Sequence, residues 1–379
     1  MKKIEISIED CRYQYYLFEN IEKLSDYIYE FSKQYNNSIV VCDSNVPDEC
    51  VERIFGNEAL LHNIIKFEVT ESIKNMNTVE DIIDKLLEHK TNRKTCVYIV
   101  GGGVLGNIVG LACGLLYRGL HFVHIPTTII ACSDSCLSLK QGVNRNISKN
   151  ILGMYYGPDA VMSCPELYKS LSLRDVAAGY VEFVKNLIIV IPEEIKAFLE
   201  KSLNFDDLSY EMIEQLVELS VKAKLKLIEK DKYERKGGVL LEYGHTVGHS
   251  LELLLLDDIR HGEGVAIGML VAALLSNEMN GFTKEEVEQL SMLLNQINIF
   301  PYLNDVKQRN LSLDMCRLEM LLKKDNKNGY INCQNDEIAM VIMKHYKESF
   351  DTDEMHIIPV KLEKVMAAVK YVWEDILQV

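Results

Sequence analysis

Residues 95–107 have the sequence TCVYIVGGGVLGN, and this segment decides how the first half of the chain is expected to fold. Residues 95–100 form a short, uniformly apolar run, which predicts a buried strand of a parallel sheet. The glycines that follow match the pattern G-x-G-x-x-G, and a helix is predicted over residues 108–117. Between a strand and a helix, such glycines let the backbone approach a pyrophosphate at the helix N-terminus. The segment therefore predicts a Rossmann-like α/β domain that binds a dinucleotide, although glycine-rich turns are also common in other folds.

The segments on either side favour the same sheet. Residues 1–18 alternate polar and apolar side chains and predict an antiparallel hairpin, whereas residues 38–43 and 121–125 predict further buried strands. Asp43 ends one of these strands, where a carboxylate can accept hydrogen bonds from ribose hydroxyls. A helix cap is the alternative role for Asp43 and is at least as common. No acidic residue ends the strand 121–125, so Asp43 is the expected ribose partner if a dinucleotide binds.

The sequence changes character near Pro165, from alternating strands and helices to long amphipathic helices. With 379 residues, of which 48% are hydrophobic, the chain is long enough for two packed domains. We therefore predict a dinucleotide-binding α/β domain over residues 1–164 and an all-helical domain over residues 165–379. Helices of the second domain are predicted over residues 171–190, 210–231, 248–256, 262–280 and 284–297.

The composition excludes several classes of partner. A net charge of −15 and a pI near 5.2 argue against binding to nucleic acid or to an anionic membrane. The ten cysteines are scattered without a Cys-x-x-Cys pair, and no apolar signal segment is found, so we expect a cytoplasmic protein with reduced thiols. The longest apolar stretch, around residues 265–275, is too short to span a membrane and predicts a buried helix.

A histidine cluster lies in the helical half of the chain. Residues 241–249 have the sequence LEYGHTVGH, and His261 follows, so three of the nine histidines fall in this short segment. His245 and His249 are spaced i, i+4 and share one face of a helix. Imidazole nitrogens suit zinc or cobalt, and catalytic sites usually combine three protein ligands with one open position. The alternative is a glycine-flanked helix start with incidental histidines.

An upstream helix offers a third ligand type. The predicted helix 171–190 places Glu182, Lys185 and Asn186 on one face of an otherwise apolar element. A carboxylate and an ammonium group in that position form either an internal ion pair or part of a site. Combined with His245 and His261, Glu182 completes a predicted His₂Glu metal site.

Two lysines, Lys140 and Lys149, lie among hydroxyl, amide and glycine residues, and Asn150 follows Lys149. Surface lysines are the commonest kind and provide the alternative explanation. In a chain otherwise short of positive charge, however, this setting favours contacts with an anion. We therefore expect these residues to bind an anionic substrate or cofactor.

Seven motifs, in the same order along the chain, closely resemble the sugar phosphate cyclase superfamily typified by 3-dehydroquinate synthase. The resemblance covers residues 40–345. The motifs are Gly101-Gly102-Gly103 with Gly106, Tyr117-Arg118-Gly119, Pro126-Thr127-Thr128, Lys140-x-x-Val143-Asn144, Glu182-x-x-Lys185, Gly244-His245-x-x-Gly248-His249 and His261-Gly262-Glu263.

The resemblance implies an NAD-binding α/β domain, a helical domain with a divalent metal such as cobalt or zinc, and a homodimer. The positions that match metal ligands in that family are Glu182, His245 and His261. The residues expected to bind NAD are Asp43, Glu71, Lys74, Gly103, Val104, Leu105, Gly106, Asn107, Thr127, Thr128, Lys140, Lys149 and Asn150. The residues expected to bind a phosphorylated sugar are Arg118, Lys149, Asn150, Lys185, Lys224, His249 and Lys327, with Arg118 shared across the dimer interface.

Two departures from 3-dehydroquinate synthase redirect the expected function. That enzyme has Asn where this chain has Glu242, and an arginine where this chain has Gly238. The arginine and a lysine similar to Lys224 bind the carboxylate of its substrate. Without the arginine, a buried substrate carboxylate would be underpaired at a cost of a few kcal/mol, so a neutral sugar body is favoured. Residues 137–144 and 241–249 resemble the corresponding segments of 2-deoxy-scyllo-inosose synthases.

This second resemblance implies conversion of D-glucose 6-phosphate to 2-deoxy-scyllo-inosose and phosphate, a step of aminoglycoside biosynthesis. It involves transient oxidation by NAD, loss of phosphate, re-reduction and aldol closure. Lys140 and Glu242 are the expected catalytic residues, with Glu242 as a general base. The alternative for Glu242 is a supporting contact with Lys140 or His245. Other functions left open are 3-dehydroquinate synthase or another sugar phosphate cyclase, a metal-dependent polyol dehydrogenase, and a catalytically silent homologue.

Overall fold

The structure, a computed structural model, describes residues 1–56, 63–145, 148–194, 208–279, 281–310, 312–346 and 356–378. Asn280, the last residue of one predicted helix, lies outside the described residues. The chain divides into two compact units: Met1–Ser172 with Asp206–Val221, and Leu173–Phe205 with Lys222–Val379. These units differ from the predicted ranges 1–164 and 165–379 over residues 165–172 and 206–221.

The first unit is built around a parallel sheet with an antiparallel hairpin at one edge. Its strands are β1 Lys2–Ile8, β2 Cys11–Leu17, β3 Asn37–Asp43, β4 Ile64–Phe67, β5 Thr95–Gly101, β6 His121–Pro126, β7 Lys140–Arg145, β8 Ser148–Tyr155 and β9 Ala160–Ser163. Seven of them form one sheet in the order β1-β2-β9-β6-β5-β3-β4. Only β1 and β2 pair antiparallel in this sheet, which confirms the predicted N-terminal hairpin. Strands β7 and β8 form a separate antiparallel hairpin.

Helices cover this sheet and complete its core. They are α1 Ile21–Ser32, α2 Asp48–Phe55, α3 Met76–Glu88, α4 Gly103–Leu115 and α5 Ile129–Ser133, with 3-10 turns at Glu71–Ile73, Leu116–Arg118, Ser135–Leu137 and Pro165–Tyr168. Apolar side chains of β5, such as Val97 and Ile99, pack with Leu105 and Ile108 of α4 in one buried cluster. Full burial of a side chain of this size stabilises the fold by about 1.5–3 kcal/mol, so β5 and α4 anchor each other.

Helix α4 begins earlier than the sequence predicted. We expected residues 108–117, but the helix spans Gly103–Leu115, so the glycine motif lies inside its first turns. Gly102 has the extended φ and ψ of a residue that precedes a helix. The helix ends before Tyr117 and Arg118 because both adopt left-handed φ angles, of 55° and 63°.

The second unit is largely helical. Its helices are α6 Leu173–Val190, α7 Tyr210–Ile228, α8 His245–Leu255, α9 His261–Glu278, α10 Lys284–Gln296, α11 Phe300–Arg309, α12 Met315–Leu322 and α13 Leu362–Glu374, with 3-10 turns at Gly237–Glu242, Leu256–Asp258, Asn326–Gly329 and Ile376–Gln378. The first part of α7 belongs to the first unit. The predicted fold class, an α/β domain followed by a helical domain, is confirmed.

The helical unit also contains an antiparallel pair of strands, β10 Glu337–Val341 and β11 Ile357–Lys361. We predicted an all-helical domain and did not predict this pair. Each strand has only five residues, and its pairing depends on a partner elsewhere in the chain. Short apolar runs of this kind do not distinguish strands from helices by periodicity alone.

Helix α9 contains the longest apolar stretch of the chain. Residues 262–273 are all buried, which confirms the predicted buried helix around residues 265–275. Across the described part of the chain, no helix has both the length and the apolar character that crossing a bilayer requires.

Candidate functional site

Asp43 lies at the carboxyl end of β3, the predicted nucleotide-binding edge of the first unit. Its Oδ1 accepts hydrogen bonds from the backbone N and from Nδ2 of Asn45, both at 2.9 Å. Helix α2 begins at Asp48 after Pro47, so Asp43 forms a turn and is not the cap of that helix. Burial raises the pKa of Asp43. Its carboxylate is therefore half-buried at the end of the sheet where a ribose would bind.

The glycine turn after β5 fits the same interpretation. A Cβ at Gly103 would lie 2.9 Å from Ser135 Oγ, and a Cβ at Gly102 would lie 3.1 Å from Thr128 Cγ2. Helix α4 begins here without a side-chain cap, so its first N–H groups can donate to a bound anion. Leu105 is fully buried in the core and can contribute to such a site only through its backbone.

Other predicted cofactor residues join the glycine turn to neighbouring segments. The backbone N of Thr127 donates to the carbonyl oxygen of Gly101 at 3.0 Å. Thr128 caps α5 with its Oγ1. Asn107 Nδ2 donates to the carbonyl oxygen of Lys140 at 3.3 Å, which holds the start of β7 beside α4. The structure thus gathers these residues within the first unit.

Asn144 lies at the centre of a second polar cluster in the first unit. Its Nδ2 donates to Glu71 Oε1 at 2.8 Å, and its Oδ1 accepts the backbone N–H of Asn150 at 2.9 Å. Its own backbone N donates to the carbonyl oxygen of Lys74 at 2.8 Å. The largely buried Lys149 places Nζ 3.2 Å from Glu71 Oε1. The side chain of Asn144 therefore connects Glu71 with Asn150, and its backbone connects to Lys74, all residues that the sequence marked as cofactor contacts.

The second unit brings Glu182, His245 and His261 together. One potential ligand atom of each lies within 4.8 Å of the others. Glu182 Oε1 lies 3.4 Å from Nε2 of His245 and 3.4 Å from Nε2 of His261. Glu182 is 1% exposed, and among the described residues this oxygen has no hydrogen-bond partner. A buried carboxylate oxygen that faces two imidazole nitrogens fits a divalent cation such as zinc or cobalt.

The other nitrogen of each imidazole has an acceptor. Nδ1 of His245 lies 3.2 Å from the carbonyl oxygen of Tyr243, and Nδ1 of His261 lies 2.8 Å from Glu252 Oε1. These contacts orient both rings with Nε2 toward Glu182. A partner on the far nitrogen is the usual arrangement around metal-binding histidines.

Burial and neighbouring charges shift the pKa values of the residues in this cluster. Burial lowers the pKa of His245 to about 4. Burial also lowers the pKa of His261, but the carboxylates of Glu252 and Glu182 outweigh it and raise that pKa to about 10. Burial would raise the pKa of Glu182, yet Lys185 and the histidines hold it well below its usual range. The carboxylates thus favour a positive charge at this position, and a bound cation supplies one.

Glycine contacts between helices determine how closely these side chains approach. A Cβ at Gly262, near the start of α9, would lie 1.9 Å from the carbonyl oxygen of Ala178 in α6. A Cβ at Gly268 would lie 1.9 Å from the carbonyl oxygen of Gly244, which precedes α8 and has a left-handed φ of 80°. The three helices that carry Glu182, His245 and His261 can pack at these distances only because the glycines lack side chains.

Lys185, a predicted substrate contact, forms an internal ion pair. Its Nζ donates to Glu182 Oε2 and to the carbonyl oxygen of Leu241. The lysine and the carboxylate are 2% and 1% exposed. The ion pair, one of the two roles considered for these residues, is therefore present, and it holds the second oxygen of Glu182 in place.

Glu242 and Lys327 approach each other in the second unit. Lys327 Nζ lies 3.5 Å from Glu242 Oε2 and 3.2 Å from Asp325 Oδ1. Burial lowers the pKa of Lys327, but Asp325 and Glu242 outweigh it and raise that pKa, so the lysine stays charged. Lys327 is 2% exposed, whereas the side chain of Glu242 is 27% exposed and remains accessible to a ligand.

The remaining predicted substrate residues occupy different environments. The His249 ring lies 5.0 Å from that of His245 and 5.8 Å from that of His261, and burial lowers its pKa well below the usual range. Lys224 is buried. Arg118 is exposed on a left-handed turn of the first unit.

Comparison with known proteins shows the family to which the chain belongs. Residues 64–178 match the N-terminal domain of 3-dehydroquinate synthase, and residues 179–328 match its C-terminal domain. The chain is 36% identical to the 2-deoxy-scyllo-inosose synthase of Niallia circulans over 314 residues, which cover 82% of this chain and 83% of that protein.

The chain belongs to the 3-dehydroquinate synthase family. Its predicted resemblance to 2-deoxy-scyllo-inosose synthases is confirmed, since the synthase of Micromonospora echinospora is also 34% identical, over 80% of this chain and 76% of that protein.

Solved structures share the fold of this chain. A 2-deoxy-scyllo-inosose synthase complexed with carbaglucose-6-phosphate, NAD⁺ and Co²⁺ matches with a TM-score of 0.84 and 30% identity, over 97% of this chain and 99% of that chain. A glycerol dehydrogenase from Schizosaccharomyces pombe matches with a TM-score of 0.63 at 15% identity, over 96% of this chain and 90% of that chain. At that identity, the likeness to the dehydrogenase concerns the fold alone.

Sequence reasoning assigned no role to two residues that the structure places at the centre of these clusters. Asn144 belongs to a motif that we quoted, but its several hydrogen bonds depend on the path of the β7–β8 hairpin. Glu252 lies in the helix that begins at His245, where the spacing i, i+7 places both residues on one face. That spacing was a usable signal for Glu252, and membership of the motif Lys140-x-x-Val143-Asn144 was the signal for Asn144, although it did not give the partners of its side chain.

Proposed function

We propose that this protein is a 2-deoxy-scyllo-inosose synthase, which converts D-glucose 6-phosphate to 2-deoxy-scyllo-inosose and phosphate during aminoglycoside biosynthesis. The main support for the proposal is structural similarity to the 2-deoxy-scyllo-inosose synthase complexed with carbaglucose-6-phosphate, NAD⁺ and Co²⁺. The TM-score is 0.84, over 97% of this chain. Glucose 6-phosphate differs from that analogue in its ring oxygen. It is therefore the substrate that this likeness supports best.

The proposed metal ligands are Glu182, His245 and His261, through Oε1 and the two Nε2 atoms that face each other. A divalent cation there supplies Lewis acidity toward a substrate oxygen, and NAD⁺ supplies a hydride acceptor that is regenerated within the cycle. The proposed NAD contacts are Asp43, Glu71, Lys74, the turn from Gly103 to Asn107, Thr127 and Thr128. Lys140, Lys149 and Asn150 are proposed to contact both NAD and the substrate.

The loop before Glu242 supports a substrate without a carboxylate. Asp231 Oδ2 accepts the backbone N–H of Gly238 at 2.9 Å, and a Cβ at Gly238 would lie 2.8 Å from that oxygen. A Cβ there would also lie 3.1 Å from Glu234 Cγ. A side chain at position 238, such as the arginine of 3-dehydroquinate synthases, would have to displace the side chains of Asp231 and Glu234. The glycine at this position therefore supports a substrate without a carboxylate.

Glu242 is proposed to act as a general base. Its carboxylate is partly exposed and lies beside the charged Lys327, which favours the ionised form that can accept a proton. Lys185, Lys224, Lys327 and His249 are proposed to hold the substrate in the second unit. The three lysines are between 2% and 4% exposed, and Lys185 and Lys327 are paired with carboxylates that hold their ammonium groups in place.

We also propose a homodimer in which Arg118 reaches the phosphate bound by the other protomer. Arg118 lies on a turn in which Tyr117, Arg118 and Gly119 all have positive φ, and such strain is often kept at functional sites. Leu115, which ends α4, is 47% exposed, and Ile151 of β8 is 50% exposed. Leu115 lies two residues before Tyr117, and an exposed apolar side chain next to this turn is suited to a protein interface. Sedimentation of the purified protein tests the dimer.

A cytoplasmic location fits the same proposal. All ten cysteines are free thiols. Six of them are buried in the first unit, away from any oxidant. Reduced thiols of this number are typical of the cytoplasm.

The activity is tested by incubating the protein with NAD⁺, Co²⁺ and glucose 6-phosphate. The proposal expects phosphate and the carbocycle in equal amounts, no net NADH, and retention of deuterium placed at C4 of the substrate. NADH accumulation without phosphate release would indicate a polyol dehydrogenase instead. Phosphate release only from the seven-carbon acid phosphate would indicate a 3-dehydroquinate synthase.

A further inference from the structure

His261 is held between two carboxylates. Its Nε2 lies 3.4 Å from Glu182 Oε1, and its Nδ1 lies 2.8 Å from Glu252 Oε1. Glu252 is buried and lies on the same face of α8 as His245, two turns further along the helix. Helix α8 therefore carries one predicted ligand, His245, and contacts a second one, His261, through the carboxylate of Glu252.

We propose that Glu252 is a positioning residue for the metal centre, an inference that rests on the proposed metal site. By accepting the Nδ1–H of His261, the carboxylate selects the tautomer whose Nε2 lone pair is directed toward Glu182 and His245. It also fixes the rotation of the ring. A carboxylate behind a histidine ligand raises the basicity of the ligand as well.

The two histidines differ in how much they need such support. His245 is anchored by the backbone carbonyl of Tyr243 and is 10% exposed. The side chain of His261 is 33% exposed at the start of α9. A more exposed ring has more rotational freedom, so the carboxylate of Glu252 has the larger effect on its orientation.

Glu252 could instead bind a metal itself, because ligand atoms of His249, Glu252 and His261 also lie within 4.8 Å of one another. The hydrogen bond argues against this role. Glu252 faces Nδ1 of His261, whereas Glu182 faces Nε2, so the two carboxylates lie at opposite nitrogens of the ring. A cation bound by Glu182, His245 and His261 leaves Nδ1 protonated and bonded to Glu252.

The experiment is a titration of the metal-free protein with Co²⁺. Calorimetry measures the Kd, and visible absorption monitors the coordination of the ion. The variants are Glu252→Gln, Glu252→Ala and Glu182→Gln, the last as the reference for loss of a ligand. Asp257→Asn, on the exposed segment after α8, is the matched control. Glu252→Ala should raise the Kd for Co²⁺ by about 10- to 100-fold, the range seen when such partners are removed, and should shift the absorption bands. Glu252→Gln keeps a hydrogen-bond acceptor and should restore most of the affinity. Asp257→Asn should match the wild type.

Three outcomes would contradict the proposal in distinguishable ways. Wild-type affinity and absorption in a folded Glu252→Ala variant would remove the positioning role while leaving the metal site intact. A Glu252→Gln variant as weak as Glu182→Gln would make Glu252 a ligand. Failure of the wild-type protein to bind Co²⁺ would overturn the proposed metal site, and this inference with it.

Discussion

The predicted nucleotide-binding edge of the first unit and the predicted metal site of the second are built in different ways. At the edge, backbone N–H groups of α4, glycines and hydrogen-bonding side chains meet at the ends of neighbouring strands. At the predicted metal site, three ionisable side chains from three helices meet, of which Glu182 and His245 are buried and His261 is partly exposed. The edge follows from the sheet topology, whereas the centre depends on close helix packing. Changes at the edge should therefore weaken ligand binding, and changes at the centre should cost metal, stability or catalysis.

The largest effect is expected at the metal centre. Replacing Glu182, His245 or His261 with Ala should abolish phosphate release and lower bound metal, because two ligands seldom hold a catalytic ion. Metal content is measured on the purified variants, with the wild-type protein as reference. Unchanged metal content in all three would show that the cation binds elsewhere.

Glu242→Gln is expected to lower the rate of catalysis without changing the binding of NAD or metal. The amide keeps the size and hydrogen bonding of the carboxylate but cannot accept a proton. We expect normal binding of NAD and metal and a loss of about 10²- to 10⁴-fold in rate, the range for general-base help. Turnover and metal occupancy are measured together. Near-normal turnover at full occupancy would leave Glu242 a supporting residue.

A buried histidine in the first unit predicts how stability changes with pH. Burial lowers the pKa of His124 to about 4, against about 6.5 for an unfolded histidine. Between pH ~4 and ~6.5, this histidine binds more protons in the unfolded chain than in the folded chain. The contribution of neutral His124 to the free energy of unfolding is therefore complete above pH ~6.5 and falls by about 3 kcal/mol as the pH drops toward ~4. His124→Leu should flatten the pH dependence of the free energy of unfolding in this range.

The control for that measurement is His89→Gln, at a partly buried position of the same unit. Parallel curves for wild type and a folded His124→Leu variant would mean that other groups produce the acid loss of stability.

Two glycine substitutions test whether a glycine is needed for helix packing, as expected at Gly262, or for ligand contact, as expected at Gly103. Gly262→Ala would place Cβ 1.9 Å from a backbone oxygen of Ala178 and should lower the free energy of unfolding by about 1–3 kcal/mol or more. Gly103→Ala meets the Ser135 hydroxyl, which can rotate, so it should weaken NAD binding with little loss of stability. Denaturant unfolding and NAD titration distinguish the two. Gly329→Ala, with nothing within 4 Å of the new Cβ, is the control.

The smallest effect is expected from Asn144→Ala at the nucleotide-binding edge. The substitution removes two side-chain hydrogen bonds, to Glu71 and Asn150, each worth about 0.5–1.5 kcal/mol. NAD affinity, measured by titration, should fall by about tenfold. Asn37→Ala, at the opposite end of β3 from Asp43, should leave it unchanged. Equal affinities for wild type and Asn144→Ala would show that this amide does not organise the cofactor site.

Most of the fold was predictable because its signals are local. The apolar run of β5, the alternation of β1 and β2 and the amphipathic helices have periodicities that follow from backbone geometry. The start of α4 at Gly103 was missed, since glycines weaken the helical signal although packing here requires them. The pair β10–β11 was missed because strand pairing depends on distant segments.

For the site, the sequence by itself established the residue types: a glycine turn after a buried strand, His245 and His249 one helical turn apart, and the carboxylate of Glu182 on a separate predicted helix. Spacing carries information only within one segment, because a helix or a turn relates residues that are a few positions apart. Only the tertiary structure decided which oxygen of Glu182 faces the two imidazoles, and that Lys185 pairs with the other oxygen. It also decided that Glu252 orients the ring of His261 and that Asn144 joins Glu71 to Asn150. These choices depend on how closely helices and hairpins pack, and packing is a property of the whole fold.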